Sequence, residues 1–263
     1  MDASLVGMVP ERTEDPVEAA ALLARDGAAI LTGRATDEAG AQAVATDVLG
    51  DLLALPDATA VREGGAGDRI SVGADQVLPL HADGFAYGDQ HPDGLFLLCT
   101  HQGTSGGDSI AADTYAALDL LAVEDPELHH FVHHVPVDLT EPDMRPAVSP
   151  IVLQLPGGRR AVRRSLFMNP DPASEETDRD AELILRWRAL WRSLSDEVPR
   201  FRLDAGEALC IDNYRTLHGR GPFAGERFLW RIWAWTPRSN GVPSGQLHSD
   251  SRYALADAAG EGA

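Results

Sequence analysis

The chain has 263 residues, of which 44% are hydrophobic and 24% charged, an ordinary globular composition that argues against a disordered or fibrous protein. Its 41 acidic residues against 22 basic ones give a net charge of −19, which disfavours nucleic acid or an anionic membrane as the partner. There is no long uncharged apolar run, and residues 1–15 lack the apolar core of a secretory signal. We therefore expect one cytoplasmic domain over 1–263, with 1–14 and 238–263 peripheral or flexible.

Two helices flanking one short strand are predicted near the N-terminus. Asp15-Pro16, followed by apolar residues at helical spacing, predicts a capped helix that ends at Gly27. Residues 28–31 predict a short strand, and a second helix is expected from position 36 or 37 to about 53. The glycine-rich stretch 64–67 is a candidate mobile flap.

From position 69 the pattern changes to short apolar segments separated by Gly, Pro and Asp, which is typical of β-structure. Strands are predicted at 69–72, 77–83, 95–101, 109–112, 135–139, 151–155, 159–167, 200–203, 208–212 and 228–235, with a hairpin turn at Gly157-Gly158. Helices are predicted at 113–121, 125–134 and 174–194. Many short strands with a few inserted helices favour a mainly β barrel or jelly roll, whose mouth can gather residues from distant strands.

The segment His81-Ala82-Asp83 follows an apolar strand and is the first candidate metal motif. Residues two apart on a strand point to the same face, so both side chains can approach one small cation. His218, on a distant strand, would complete two imidazoles and one carboxylate. This is the facial triad of non-haem Fe(II) oxygenases, which leaves positions open for a co-substrate and O2.

Other histidine motifs are weaker candidates. His91-Pro92-Asp93 contains a proline that breaks a strand, and His248-Ser249-Asp250 lies in a polar tail with no histidine after it. His129, His130, His133 and His134 form pairs four apart on one helical face, a spacing that can bind zinc in a hydrolase. They lack the glutamate of the metalloprotease pattern, and a helix-terminal cluster that is favourable at the negative end of the dipole is the preferred interpretation.

Three further residues predict a site for a carboxylate co-substrate. The turn 105–109 delivers the Ser109 hydroxyl into a strand, and Arg227 and Arg231 lie four apart, on one face of an apolar strand. A buried arginine needs an anion, and guanidinium is the natural bidentate partner of a carboxylate. An arginine and a serine hydroxyl beside Fe(II) would suit a dicarboxylate.

With these motifs in this order, the sequence resembles the Fe(II)/2-oxoglutarate-dependent dioxygenases of the taurine dioxygenase (TauD/TfdA) type, which include gamma-butyrobetaine hydroxylase and clavaminate synthase-like enzymes. The resemblance runs from about position 26 to 235, and its most specific segments are 81–83, 106–109 and 211–220, with Arg231 thirteen positions after His218. It implies a double-stranded β-helix (jelly roll, clavaminate synthase-like) with helices packed outside.

The resemblance also implies the cofactors and their residues. His81, Asp83 and His218 would bind Fe(II). Arg231, helped by Ser109, would pair with the distal carboxylate of 2-oxoglutarate, and Arg227 would lie near the end that chelates iron. Ser109 stands where many relatives have Thr, which keeps the hydroxyl and loses a methyl group. Asp83 favours oxygen transfer, because halogenating relatives have a small residue there.

The implied reaction uses O2 and 2-oxoglutarate to hydroxylate an unactivated C–H bond, with release of succinate and CO2. The expected substrate is a small molecule, a free amino acid or a related amine or betaine. Desaturation or cyclisation with the same oxidant, or a non-catalytic jelly-roll protein that binds a metal or ligand, are the alternatives. The sequence does not define the oligomeric state, and a homodimer is left open.

Substrate contacts are expected from residues near the open face of the metal. An acid among aromatic side chains would hold an ammonium group, and an arginine would take a carboxylate. The candidates are Tyr87, Asp89 and His91 just after the ligand strand, Arg163 and Asn169 around a later strand, and Trp233 or Trp235.

Overall fold

The computed structural model describes residues 1–62, 72–141, 146–165 and 167–251. These residues form five α-helices, three short 3-10 turns and 18 strands. The helices are α1 Pro16–Asp26, α2 Glu38–Leu49, α3 Thr114–Glu124, α4 Pro126–His134 and α5 Thr177–Glu197. None of them combines the length and the apolar character needed to cross a membrane.

The strands are short, with a maximum of eight residues in the described part of the chain. They are β1 Gly7–Met8, β2 Arg12–Thr13, β3 Ala28–Leu31, β4 Thr59–Arg62, β5 Leu78–His81, β6 Gly94–His101, β7 Ser105–Gly106, β8 Ser109–Asp113, β9 Pro136–Asp138, β10 Val148–Pro150, β11 Val152–Gln154, β12 Arg160–Val162, β13 Asn169–Pro170, β14 Arg200–Phe201, β15 Ala208–Asp212, β16 Thr216–Arg220, β17 Phe223–Ala224 and β18 Phe228–Ala234.

Aspartates start four of the helices, as local capping rules require. Asp15, Asp37, Asp113 and Asp125 each accept a hydrogen bond from a backbone N–H in the first turn of α1, α2, α3 and α4. Pro16 and Pro126 occupy first helical positions, where a missing N–H costs nothing. These starts agree with the sequence prediction.

Two sheets face each other and enclose the core. One has the order β2-β3-β15-β6-β18-β4, and the other has β1-β8-β16-β5 with β14 also paired to β8. Their pairs are antiparallel except for β2 with β3. One apolar cluster joins the sheets, since it contains Ala111 and Phe201 from the second sheet and Leu95, Leu209 and Trp233 from the first. The expected jelly roll is confirmed.

Helices cover the outer faces of both sheets. α1 and α2 pack on the six-stranded sheet through a cluster that includes Leu22, Val44 and Phe96. On the other side, α3, α4 and α5 pack through a second cluster that includes Leu118, Phe131 and Trp187. The inner faces are therefore left for the core and for a pocket at one end of the sandwich.

Several predicted boundaries need correction. α2 ends at Leu49 rather than near 53, because Gly50 adopts a positive φ of 67°. The longest helix begins and ends three residues later than expected, and the strand predicted at 159–167 is only β12. The predicted flap at 64–67 and most of the strand predicted at 69–72 lie outside the described residues.

Parts of the two segments expected to be peripheral are buried. At the N-terminus, β1 pairs with β8 in one sheet and β2 pairs with β3 in the other, and Val6 is buried. Near the other end, Ser249 is 0% exposed and Asp250 is 3% exposed. Positions 249 and 250 are polar and yet buried, because their polar atoms have hydrogen-bond partners in the protein interior.

Candidate metal centre and active-site pocket

His81, Asp83 and His218 meet where two strands pair. In the antiparallel pair of β5 and β16, His218 lies opposite His81, and their ring centroids are 4.4 Å apart. Gly219 permits this approach, since a Cβ there would lie 2.4 Å from the Leu78 carbonyl oxygen. The ligand atoms of the three side chains all lie within 4.8 Å of one another. The predicted histidines and carboxylate are therefore brought together.

One potential ligand atom from each of the three side chains lies close to those of the others. The Nε2 atoms of His81 and His218 lie 3.2 Å and 4.0 Å from Asp83 Oδ1. His81 Nδ1 lies 3.0 Å from the Pro79 carbonyl oxygen, which can only accept a hydrogen bond. Nδ1 is therefore the protonated nitrogen, and Nε2 keeps its lone pair for a cation.

Neighbouring groups fix the Asp83 carboxylate. Its Oδ2 accepts hydrogen bonds from Trp233 Nε1 at 3.1 Å and from Arg231 at 3.2 Å, which leaves Oδ1 for a metal. The backbone of Asp83 is held by the Asn213 amide, which accepts from Asp83 N–H and donates to Asp83 C=O, each at 3.0 Å. Such outer contacts orient metal ligands and limit their motion.

The electrostatics give Asp83 and His218 the protonation states of metal ligands. Burial would raise the pKa of Asp83, but Arg231 and the two histidines outweigh burial and hold that pKa well below its usual range. Burial, together with the neighbouring His81, lowers the pKa of His218 to about 3. An ionised carboxylate with a neutral imidazole is the donor state that a divalent cation needs.

This donor set fits Fe(II). Two imidazoles and one carboxylate on one side of the ion are the facial arrangement of non-haem Fe(II) sites, whose remaining positions face the reactants. Here a pocket of about 230 Å³ opens beside the three side chains. His81, Asp83 and His218 are the only group of three or more metal-ligating side chains in the described ranges.

Arg227 and Ser109 lie in the wall of this pocket. Arg227 is 9% exposed, and its Nε donates to Gln102 Oε1 at 2.9 Å. Burial and the nearby Arg220 lower the pKa of Arg227 to about 10. No acidic partner of this buried Arg227 guanidinium occurs among the residues that the structure describes.

Arg231, four positions later, has a different environment. It contacts Asp83 Oδ2, as described above, and its second nitrogen lies 2.6 Å from Asp250 Oδ2. Its Nε donates to the Ser249 carbonyl at 2.8 Å. Arg231 thus adjoins the metal centre and already has two carboxylates, whereas Arg227 has none in the described chain.

Of the residues expected to touch substrate, Trp233 lines the pocket, and Arg163, Asp89 and Asn169 do not. The fully buried Arg163 donates to Asp89, to Ser149 Oγ and to a backbone carbonyl, so it holds loops together. Asn169 is exposed on β13.

Tyr87 and His91 also lie behind the pocket wall rather than in it. Tyr87 packs edge-on against Trp233 and against Trp235, with centroid distances of 6.1 Å and 5.3 Å, and its hydroxyl accepts from His248 N–H. His91 is 0% exposed, and its ring is tilted by 45° against that of Tyr214, with 4.6 Å between the ring centroids. These aromatic residues support the wall from behind.

Two acidic residues in the pocket were not found from the sequence. Asp250 belongs to the His-x-Asp match that was set aside as a polar tail, so its composition concealed its role. Glu141 lies in a stretch without helical or strand periodicity and gave no signal at all. Both residues are remote from the metal motif in sequence, and only the fold of the chain brings them to the pocket.

The histidines of α4 do not form a comparable site. The rings of His129 and His133 lie 4.3 Å apart, those of His130 and His134 lie 4.6 Å apart, and His133 Nδ1 bonds the His129 carbonyl. Within the described ranges no carboxylate or thiol joins them as a third ligand. The zinc hydrolase interpretation has no support from this geometry.

Known proteins resemble this chain in sequence. It is 30% identical over 154 residues to gamma-butyrobetaine dioxygenase of Pseudomonas sp. (strain AK-1), a match that covers 56% of this chain and 39% of the relative. It is 23% identical over 160 residues to trimethyllysine dioxygenase of Meyerozyma guilliermondii, with coverages of 57% and 40%. The matched region thus spans about two fifths of the length of these curated relatives.

The fold has solved counterparts as well. Asparagine oxygenase in complex with Fe(II), 2S,3S-3-hydroxyasparagine and succinate superposes with a TM-score of 0.60 at 20% identity, covering 83% of this chain and 78% of that one. At that identity the likeness concerns the fold. The model of the family described as "Taurine catabolism dioxygenase TauD, TfdA family" matches residues 7–233, which include all three candidate ligands. The chain therefore belongs to the TauD/TfdA family.

Proposed function

We propose that this protein is an Fe(II)- and 2-oxoglutarate-dependent oxygenase that hydroxylates an unactivated C–H bond of a small molecule, with release of succinate and CO2. The observation that carries the proposal is one pocket that contains both a facial donor set and a buried arginine without an acidic partner in the described chain. Bound Fe(II), with 2-oxoglutarate and O2, would supply the oxidising chemistry.

The residues of the chain would hold the metal and restrict the reaction. His81, Asp83 and His218 would bind Fe(II), and the ionised Asp83 and neutral His218 already have the protonation states of metal ligands. Trp233 and Arg231 would keep Asp83 in one orientation through its second oxygen. Apolar residues of the wall, such as Leu97 and Leu229, would exclude water from the reacting groups.

The contacts favour an exchange of the roles that the resemblance gives to the two arginines. Arg227 is the buried guanidinium that has no carboxylate partner in the described ranges, so we assign it, with Ser109, to the distal carboxylate of 2-oxoglutarate. Arg231 touches Asp83 and therefore lies at the metal end of the pocket. There it would hold the carboxylate ligand and adjoin the end of the co-substrate that chelates iron.

The substrate is proposed to be a free amino acid or a related amine or betaine. The names of the relatives support this class: gamma-butyrobetaine, trimethyllysine and asparagine. The net charge of −19 supports a small molecule rather than a nucleic acid as the partner.

The two buried free cysteines, Cys99 and Cys210, agree with a reducing, cytoplasmic location.

The decisive experiment measures succinate formed from 2-oxoglutarate under O2, with and without Fe(II), in the wild type and in Asp83→Ala. We expect slow iron-dependent succinate formation without substrate and its loss in the variant. His134→Ala, on the exposed side of α4, is the matched control and should behave as the wild type. Absence of iron-dependent turnover in the wild type, also with gamma-butyrobetaine, trimethyllysine and asparagine present, would favour a non-catalytic binding protein.

A further inference from the structure

Glu141 places a carboxylate in the pocket wall beside the metal centre. It lies three residues after β9, is half-buried, and accepts a hydrogen bond from Ser165 Oγ at 3.2 Å. Burial raises the pKa of Glu141, and the nearby charge of Asp83 raises it further. Among the residues that the structure describes, no arginine or histidine forms a direct ion pair or hydrogen bond with Glu141, although the nearby His81 acts to lower its pKa.

The other acids of the pocket are already compensated. Asp83 and Asp250 both contact Arg231, and Asp83 would also hold the metal. With Arg227 given to the co-substrate, as proposed above, the carboxylate of Glu141 lies in the pocket wall without an ion-pair partner among the described residues.

The two remaining pocket arginines are engaged elsewhere. Arg220 donates to the backbone carbonyls of Gln76, Val72 and Gly221. Arg62 is exposed and lies over the Phe228 ring, 4.3 Å from its centroid. Neither of them has Glu141 as a partner among the residues that the structure describes, which leaves a cationic ligand as the candidate counter-charge for Glu141.

Aromatic side chains surround the same space. Phe85 and Phe167 line the pocket together with Glu141, and Trp233 lines it near Asp83. Aromatic faces attract ammonium groups through their quadrupoles, and this attraction adds to a carboxylate ion pair. A carboxylate with aromatic side chains suits a primary or a quaternary ammonium group. It offers no favourable contact to a substrate anion.

We propose that Glu141 determines substrate specificity by pairing with the ammonium group of a cationic small molecule and holding it beside the metal centre. The inference rests on the proposed function for the identity of the reaction, but the binding it describes does not require turnover. It selects amines and betaines and excludes substrates whose only charge is negative.

The test compares two probes of the same shape. Gamma-butyrobetaine carries a trimethylammonium group, and 5,5-dimethylhexanoate replaces its nitrogen by carbon. Calorimetry without O2, on protein loaded with Fe(II) and 2-oxoglutarate, gives both affinities; trimethyllysine and asparagine extend the test to a longer cation and to a primary ammonium. We expect Glu141→Gln to weaken binding of at least one ammonium probe by about tenfold or more and to leave the carbon isostere within about twofold, because only the ion pair is lost.

Two further variants guard against a structural explanation. Glu141→Asp keeps the charge and should keep the preference for the cation, and Glu175→Gln removes the same charge from an exposed site outside the pocket and should change nothing. Equal losses in the Gln and Asp variants, equal losses for probe and isostere, or no binding of any ammonium probe to the wild type would overturn the inference. Iron-dependent succinate formation without substrate, measured in parallel, tests the oxygenase function separately.

Discussion

Arg231 and Asp250 form an ion pair in the wall of the pocket, with 2.6 Å between a guanidinium nitrogen and Oδ2. Ser249 extends the contact, since its carbonyl accepts from Arg231 Nε and its hydroxyl accepts from Trp233 N–H. Because Arg231 and Trp233 also hold Asp83, the segment near position 250 supports a metal ligand through two residues of β18. This support reaches the metal centre from the part of the chain that its composition marks as a tail.

Loss of this ion pair should destabilise the folded protein. Asp250→Asn leaves a mostly buried guanidinium with one carboxylate fewer, so we expect the free energy of unfolding to fall by about 1–3 kcal/mol. Urea denaturation of the metal-free protein measures the change. Asp47→Asn, which removes the partner of Arg34 at the surface, is the control and should have little effect. Equal changes in the two variants would mean that the Asp250 ion pair stabilises the fold no more than a surface ion pair does.

The hydrogen bond from Trp233 to Asp83 should strengthen metal binding. Trp233→Phe keeps the apolar ring and removes the Nε1 donor, so we expect the affinity for Co(II), a spectroscopic substitute for Fe(II), to fall by about 10-fold. Trp230→Phe removes a similar donor that bonds the Thr36 carbonyl, on the same strand but away from the metal. A titration of Co(II) absorption that shows the same affinity in both variants would argue against an orienting role for Trp233.

The two arginines should affect 2-oxoglutarate differently. Arg227→Gln removes the guanidinium assigned to the distal carboxylate, so we expect the KM for 2-oxoglutarate to rise by about 30-fold or more. Ser109→Ala should raise it by a smaller factor, and Ser109→Thr should not raise it. Arg231→Gln should act mainly on metal affinity, through Asp83. The reverse pattern, with KM changed chiefly by Arg231→Gln, would restore the roles that the family resemblance implies.

His91 should make stability depend on pH. Burial, and then the nearby Arg163, lowers the pKa of His91 to about 3, and neither ring nitrogen has a partner in the described structure. The unfolded chain binds a proton near pH 6.5 that the folded chain does not, so stability is full above that pH and falls as pH decreases. One such group contributes a slope of about 1.4 kcal/mol per pH unit below pH 6.

His91→Phe tests this directly, because Phe fills similar space and has no titrating group. Unfolding free energies from urea denaturation at several pH values between 5 and 8 give the slope. We expect near-wild-type stability at pH 8 and a slope in the acid range that is lower by about one proton. An unchanged slope would show that His91 takes up its proton in the folded state as well.

Local signals made the metal ligands and the helix starts predictable. A His-x-Asp pair on an apolar strand specifies which side chains share a face, and an aspartate before a helix specifies the cap, because both effects act within a few residues. The end of α2 was set by the positive φ of Gly50, which the apolar pattern did not reveal.

The substrate residues were harder to predict because they depend on how loops cross the mouth of the sandwich. Tyr87 and His91 follow the metal motif closely in sequence, yet the 3-10 turn Phe85–Gln90 carries them behind the wall. Glu141 and Asp250 are remote from the motif and reach the pocket. Sequence distance from a ligand is therefore a poor guide to which residues line the pocket.

The amide of Asn213, which clamps the backbone of Asp83 across 130 positions of the chain, has a consequence for how the metal centre is assembled. Closing so long a loop costs chain entropy that short-range contacts do not repay, so the clamp forms only when β15 and β16 join their sheets. During synthesis, the metal centre is incomplete until the ribosome has made Asn213 and His218. Iron is thus expected to enter late, onto a nearly complete fold, and once there to act as a cross-link that slows its opening.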